Sequence, residues 1–395
     1  VKKIAFFVNS FGGGGAEKNI KYLIDELIPY YEIHLIVFDD SYAYKLHPSV
    51  HRHLLYDEKK VPDIFKILLI PYWAYKLKLI SNKLELNVVI SFLIRPNLIA
   101  SYSKKIGLKP PLIISERVSS YTLYSKSFSG LIVSSLIKRL YKYADIIIPN
   151  SLRIKYELEH FFRLKNKMTV IYNPVDIDNI LQKSTKGDSL MDNNDNDTFT
   201  FINIGRLTDQ KNQAFLINAF SKIKETKCRL LIIGEGPDKD KLIGTIKELE
   251  IESKVSIYPF QTNPYMFLKK ANCFVLTSKY EGFPNVVLEA LTCGIPVIST
   301  DCSSGPREIL SPETDFKVSL KNGMEKAKYG LLVGLDDQEA LTKAMLLVLS
   351  DSSLMDNYIQ KATGRAKEFA LKKQTLEFKE VIDKCLFNSI DNNYL

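Results

Sequence analysis

At 395 residues, with 46% apolar and 25% charged residues, the chain is too long for one ordinary core and too apolar for a disordered protein. No run of about 18 apolar residues is present to span a bilayer, and five cysteines without a CxxC pair read as reduced cytosolic thiols, not as a disulfide framework. Residues 1–175 hold 26 Lys and Arg against 14 Asp and Glu, net +12, whereas residues 176–395 are net −3, so nucleic acid, a phospholipid surface or a phosphorylated acceptor would meet the first half.

The opening VKKIAFFVNSF has too short an apolar run for a signal peptide, and KIAFFVN predicts the first strand. NSFGGGGAEKNI (9–20) follows it and opens a helix. Glycines there, Gly14 and Gly15 among them, let the backbone approach a ligand and turn N–H groups toward an anion. A plain tight turn is the competing account. The run is not GxGxxG, and Asp39 and Asp40 are the nearest acidic residues after the second strand, EIHLIVF, so a nucleotide-dependent dehydrogenase fits poorly.

HPSVHRH supplies His47, His51 and His53 without a Cys or carboxylate at ligand spacing, which favours a polar loop or edge strand over a metal site. Residues 63–86, DIFKILLIPYWAYKLKLISNKLEL, mix Phe65, Leu68, Leu69, Ile70, Tyr72, Trp73 and Tyr75 with Lys66, Lys76, Lys78 and Lys83. That composition suits an interfacial helix on an anionic membrane, and equally a half-buried domain helix with solvated lysines. NVVISFL, PLIISE and DIIIPNS predict three further strands. Arg95 and Asn97 follow the first of these, where an acceptor can reach them or where they merely cap a helix; Glu116 and Arg117 end the second.

A joint falls in IYNPVDIDNI (171–180), and the polar run 184–197 reads as a surface loop. Beyond it FTFINIGR, CRLLIIGEG, KVSIYP, CFVLTS and IPVIST predict five strands alternating with helices. Two α/β units with parallel sheets follow from this alternation. NIGRLTDQKN places Gly205, Arg206 and Lys211 in one strand-to-helix loop, where two cations can grip a diphosphate. Gly234 and Gly236 mark a second such loop. In EGFPNVVLEA, Pro284 suits a helix's first turn and leaves Gly282, Phe283 and Asn285 beside Glu281. Glu289 then points back toward the same helix start, where a carboxylate can hold a vicinal diol. Arg307 and Glu308 open another helix and read as an ordinary ion pair. The tail, from about 353 to 388, is helical and amphipathic.

The E-x7-E segment, with GRL…K upstream and a GGAE-type start, resembles retaining glycosyltransferases of family 4, over nearly the whole chain. STDCSSGPREIL (299–310) and the SPETDF…AKYGLLV stretch look like the subset that builds capsule, O-antigen or N-glycan precursors on lipid carriers. The resemblance implies a GT-B fold: two Rossmann-like parallel-sheet domains facing across a cleft. Residues 1–175 would receive the acceptor, 176–370 the nucleotide-sugar donor, and 371–395 would form a helix returning to the first domain.

By the same resemblance Arg206 and Lys211 hold the donor diphosphate, Glu289 the ribose, and Glu281 lies near the transferred sugar. Gly205, Gly234, Gly236, Gly282, Phe283, Pro284 and Asn285 line the donor site, the base lies near Tyr258, Pro259 and Phe260, and Gly14 and Gly15 close on the donor. Glu116 stands where many relatives carry a histidine, so that role does not transfer; it can act on the sugar or acceptor, or simply pair with Arg117 or a helix N-terminus. Arg95, Asn97 and Arg117 are acceptor-side candidates.

The implied activity is a metal-independent, retaining transfer of a hexose or N-acetylhexosamine from an NDP-sugar, UDP-linked by the resemblance, to a polyprenyl-diphosphate-linked glycan. The enzyme would be peripheral on the cytoplasmic face of the plasma membrane, touching anionic lipid through its basic first domain, with no nucleic-acid partner and no cofactor. A GT-B sugar-nucleotide epimerase, or a non-catalytic nucleic-acid or membrane-binding protein on this scaffold, are the competing readings.

Overall fold

The central strands of the first sheet are apolar on both faces, as a parallel sheet covered by helices on both sides requires. The computed structural model describes the chain apart from residues 40–43, 56–65, 125–127, 187–197, 225 and 392–395, and the side chains of 122, 124, 128, 129 and 388–391. Asp40, Phe65 and most of the polar run 184–197 lie outside the described residues. The chain divides into two units, Val1–Pro174 with Leu371–Leu395, and Val175–Ala370.

The first unit runs β1 (Lys3–Phe7), α1 (Gly15–Leu27), β2 (Glu32–Val37), β3 (His51–Leu54), α2 (Ile70–Leu84), β4 (Val88–Phe92), α3 (Ile94–Lys105), β5 (Leu112–Glu116), α4 (Ser120–Tyr124), α5 (Phe128–Leu140), β6 (Ile146–Pro149), α6 (Leu152–His160) and β7 (Lys167–Met168). Its strands lie in the order β3-β2-β1-β4-β5-β6-β7, all parallel. On one face α2, α3 and α5 contribute Trp73, Leu77, Leu98, Ile99 and Ile137 to a core with Phe7, Val89 and Ile114. On the other, Ile20, Leu23, Ile24 and Leu27 of α1 pack with Ile4, Phe6 and Ile90. Those four recur at helical spacing, so α1 hides one stripe and leaves the rest to solvent.

The second unit begins with α7 (Ile177–Ser184). It continues β8 (Phe199–Ile204), α8 (Gln213–Ser221), β9 (Cys228–Ile233), α9 (Lys239–Glu248), β10 (Val255–Tyr258), α10 (Tyr265–Lys270), β11 (Cys273–Leu276), α11 (Asn285–Thr292), β12 (Val297–Thr300) and α12 (Pro306–Leu310). It ends with β13 (Met324–Ala327), β14 (Gly330–Val333), α13 (Gln338–Ser350) and α14 (Ser352–Lys367). The sheet order is β10-β9-β8-β11-β12-β14-β13, parallel except for the β13–β14 pair. The last helix, α15 (Leu371–Asp391), belongs to the first unit. Its Phe378 stacks on Phe92 of β4, with centroids 6.1 Å apart, and Asp383 accepts a 2.6 Å hydrogen bond from Tyr31. Burying a phenylalanine fully, as here, contributes about 2–3 kcal/mol.

The helical tail from about 353 onward is α14 and α15, parted where Ala370 bridges to Val175 and the Phe369 carbonyl accepts from the Val175 N–H at 2.9 Å. One expectation needs correction. Trp73 and Ile70 are buried in the core, so they are not part of any surface; the exposed stripe of this segment is Leu68, Tyr72, Tyr75 and Leu79. The edge strand β3 pairs with β2 and brings His51 and His53 beside His34 and Glu32, a neighbourhood that chain spacing alone does not reveal. His34 Nδ1 lies 3.0 Å from His53 Nε2, and its Nε2 lies 3.1 Å from Glu32. Among the described residues no set of three or more His, Cys, Asp or Glu is arranged to hold a metal ion.

Candidate active site

In the second sheet β8 lies between β9 and β11, so the chain turns one way after β8 and the other way after β11. At such a switch point the loops leaving the two strand ends part and leave a crevice for a ligand. Those loops are 205–212, with Arg206 and Lys211, and 277–284, with Glu281. They are fastened together by backbone and side-chain bonds. Lys279 N donates to Gln210 O at 2.8 Å, Gln210 Nε2 to Tyr280 O at 2.9 Å, and Thr277 Oγ1 to Lys211 O at 3.0 Å. Asn212, in the left-handed region at φ 52°, ends the first loop and lets α8 begin.

The central contact is an ion pair. Lys211 Nζ sits 2.6 Å from Glu281 Oε1, with the two side chains only 16% and 10% exposed. Glu281 therefore pins the ammonium at the crevice rather than leaving it to sweep through solvent. Arg206 is different: it is exposed, and among the described residues it has no ion-pair partner. Its backbone is held by Gln213 Nε2, which donates to Arg206 O at 3.0 Å. One cation is thus fixed by a buried carboxylate, and the other is free to swing.

The glycines beside this loop serve close approach. A Cβ on Gly234 would overlap the Gly205 carbonyl oxygen, and one on Gly236 would overlap the Leu207 carbonyl. The turn after β9 lies directly on the turn after β8, sealed by Leu207 N donating to Glu235 O at 2.8 Å. Beyond β10, Tyr258 is half-buried and Pro259 and Phe260 are exposed.

Pro284 precedes the first residue of α11 with φ −72° and ψ 107°, so it caps the helix from outside instead of occupying its first turn. Gly282, Phe283 and Pro284 are buried, and Asn285 opens the helix, half-buried. Pro284 has no side-chain acceptor with which to cap this N-terminus. Glu289, also buried, stands one turn further along the same helix. Both carboxylates thus flank a helix start, whose peptide dipoles favour negative charge. Arg307 is not paired with Glu308: its guanidinium binds Asp301 and Glu325, partners that sequence spacing did not suggest.

In the first unit the glycine loop follows β1, which borders β4 at that sheet's switch point. Gly14 and Gly15 are exposed at the N-terminus of α1. Arg95 donates from Nε and Nη2 to Asn9 Oδ1, at 2.9 and 2.7 Å, and lies over the Phe38 ring. Leu93, just before it, is held at φ 71°, a strained conformation for leucine. Asn97 is fully buried; it accepts from Ser91 Oγ at 2.6 Å and donates to Ser115 O at 2.9 Å, fastening β4 to β5.

Glu116 is also fully buried, accepting from Tyr141 OH at 2.8 Å and from the Arg117 N–H at 3.2 Å. Burial pushes its carboxyl up to about 7, against the pull of those hydrogen bonds. The Arg117 guanidinium donates to Asn173 Oδ1 at 2.9 Å, and burial lowers it to about 10.

Two family models match the chain: Glycosyltransferase Family 4 over residues 13–179 and Glycosyl transferases group 1 over residues 191–365. The chain is 35% identical, over 93% of its length and 96% of the relative's, to the N-acetylgalactosamine-N,N'-diacetylbacillosaminyl-diphospho-undecaprenol 4-alpha-N-acetylgalactosaminyltransferase of Campylobacter jejuni. Among solved structures it is similar to sucrose-phosphate synthase from Thermosynechococcus elongatus, with a TM-score of 0.81 at 16% identity, covering 98% of this chain and 100% of that one. Anabaena HepE in complex with UDP and glucose gives 0.74 at 19%, covering 97% and 100%. The two parallel-dominated sheets are therefore those of a two-domain α/β GT-B fold. Since both halves match a transferase model and one relative aligns over almost its whole length at more than a third identity, the chain belongs to glycosyltransferase family 4.

Proposed function

We propose that this glycosyltransferase moves a hexose or N-acetylhexosamine from a UDP-linked donor to a polyprenyl-diphosphate-linked glycan, with retention of anomeric configuration. The observation that carries the donor reading is the Lys211–Glu281 pair beside exposed Arg206, at the switch point of the second sheet. Breaking an anomeric C–O bond leaves negative charge on the departing diphosphate, and cations fixed in advance lower that barrier. Lys211 is held without reorganisation, and its ammonium retains further donors for a phosphate oxygen. Arg206 supplies a planar fork suited to a second phosphate oxygen. Glu289 offers a carboxylate for the ribose hydroxyls, and the α11 N-terminus offers dipole and N–H groups to the phosphate. Tyr258, Pro259 and Phe260 give the base a partly exposed apolar edge, and the UDP named with HepE supports that nucleotide.

The acceptor reading is supported by the Campylobacter relative, whose name is that of a transferase acting on a diphospho-undecaprenol-linked sugar. The first unit receives that acceptor and meets the cytoplasmic leaflet. Its excess of positive charge and the exposed Leu68, Tyr72, Tyr75 and Leu79 beside Lys76 and Lys83 support this docking. No helix among the described residues is long and apolar enough to cross a membrane.

The test is a panel of UDP- and GDP-sugars offered with an undecaprenyl-diphosphate-linked glycan, with the product linkage read by NMR. An α-linked product from an α-linked UDP-sugar, made only with the lipid-linked acceptor, is the expected outcome. Transfer from GDP-sugars alone, or an inverted linkage, overturns it.

A further inference from the structure

We infer that Arg307 is a positioning residue that sets the sugar-contacting turn of the donor site, an inference resting on the donor reading above. Arg307 is buried in the short helix α12 and holds three elements at once. Its Nε lies 3.2 and 3.1 Å from the two carboxylate oxygens of Asp301, and Nη2 lies 2.6 Å from Oδ2. Nη2 also reaches Glu325 of β13 at 2.9 Å, and Nη1 reaches Thr314 Oγ1 at 2.9 Å. Asp301 is anchored in turn: its N–H donates to Val333 O at 2.8 Å, and its Oδ2 accepts from Leu320 N at 2.6 Å. The far end of α12 is gripped by Arg365, which donates to Ile309 O at 2.8 Å and Glu308 O at 2.6 Å.

What this clamp fixes is the turn 302–305, and that turn lies on the segment 282–284. Ser304 Oγ donates to Gly282 O at 2.7 Å. At Gly305, with φ 91°, a Cβ would stand 2.5 Å from Pro284 Cδ and 2.9 Å from Phe283 Cα, so no side chain fits between the two turns. The path from Arg307 to the backbone beside Glu281 is therefore Asp301, the 302–305 turn, Ser304 and Gly282. It does not pass through the 205–211 loop that carries both cations.

The chemical consequence is a division of labour. The nucleoside diphosphate is held mainly by the loop after β8, the region after β10 and Glu289, none of which Arg307 touches; the parts of its site that adjoin the positioned turn are the α11 N-terminus and, through Glu281, Lys211. The sugar is held by the turn before α11, which Arg307 positions. Loosening that turn costs transfer far more than nucleotide binding, because most nucleotide contacts lie elsewhere while sugar placement depends on the turn.

The experiment compares Arg307→Lys, Ser304→Ala and the double variant with wild type. It reads the Kd of UDP by calorimetry, kcat and KM for the best UDP-sugar, and Tm. The expected result is a UDP Kd within threefold of wild type in every variant, with kcat/KM for the UDP-sugar reduced tenfold or more in Arg307→Lys and Ser304→Ala. The double variant falls no further than the worse single one, since both act through the same turn. Should Arg307→Lys fail to fold, Ser304→Ala, which removes one hydroxyl, carries the test. A merely structural role predicts instead a lower Tm with UDP binding and turnover weakened together, and that result overturns the inference. So do single variants within twofold of wild type in kcat/KM when the wild type is active. A wild type that neither binds UDP nor turns over any sugar nucleotide overturns the donor reading, and this inference with it.

Discussion

Replacing Lys211 with methionine leaves the Glu281 carboxylate, 10% exposed, without the ammonium 2.6 Å away. Removing one partner from a buried pair costs about 3–5 kcal/mol, and the residual exposure of both groups brings the loss here to about 2–4 kcal/mol. In a unit of about 200 residues each kcal/mol moves Tm by about 2–4 °C, so Lys211→Met lowers the melting transition of the second unit by about 4–16 °C. Lys211→Met/Glu281→Gln strands no charge, and its loss falls short of the sum of the singles by at least about 1 kcal/mol. Arg206 provides the contrast, since it is exposed: Arg206→Ala changes stability by no more than about 0.5 kcal/mol. Both Arg206→Ala and Lys211→Met lower kcat by roughly 10²–10³ if each cation faces the departing diphosphate. Urea unfolding gives the first set of numbers and steady-state kinetics the second. Additive single effects at 211 and 281, or an Arg206→Ala protein as unstable as Lys211→Met, would falsify the reasoning.

Other outcomes follow from the same geometry. Gly234→Ala drives a methyl into the Gly205 carbonyl, so it destabilises the second unit by about 3 kcal/mol or yields insoluble protein, as thermal scans and expression trials will show. The buried Glu116 carboxyl titrates near 7, above the ordinary 4.5, so the folded state keeps a proton that the unfolded chain has lost. Stability therefore falls as pH rises from about 4.5 to about 7, by of order 3 kcal/mol, and levels off above that; Glu116→Gln flattens the slope in urea titrations at several pH values. Tyr72→Ser/Leu79→Ser, altering two exposed positions of α2, weakens co-sedimentation with vesicles of anionic phospholipid while leaving Tm within about 2 °C. Equal sedimentation of variant and parent would remove α2 from the membrane reading.

Much of the fold was legible because the signal was local. KIAFFVN, NVVISFL and PLIISE are mostly apolar runs, as strands covered on both faces must be, and each became a strand. The short strands β7 and β13 are not apolar runs: KM is two residues long, and MEKA carries two adjacent charges at an edge. The break between α14 and α15 came from the resemblance and not from any local signal, since it is set by Val175, which pairs with Ala370 from nearly two hundred residues away. The residue types of the candidate site could be read from the sequence, but their pairings could not. Lys211 and Glu281 are 70 positions apart, and the Arg307–Glu325 contact joins a helix to a strand across an exposed segment. Trp73 misled because an aromatic among lysines looks interfacial until its helical phase is known; one position earlier, Tyr72 is exposed.

The return of α15 to the first unit has a consequence for how the molecule is made. Phe378, Val381, Ile382 and Cys385 complete a core whose other buried members all emerge from the ribosome before residue 175. That apolar surface stays uncovered while the entire second unit is translated, and during this interval the nascent chain offers it to chaperones or to aggregation. The second unit has no such wait. It opens and closes on the Val175–Ala370 bridge, so it can reach its native form before the last helix exists.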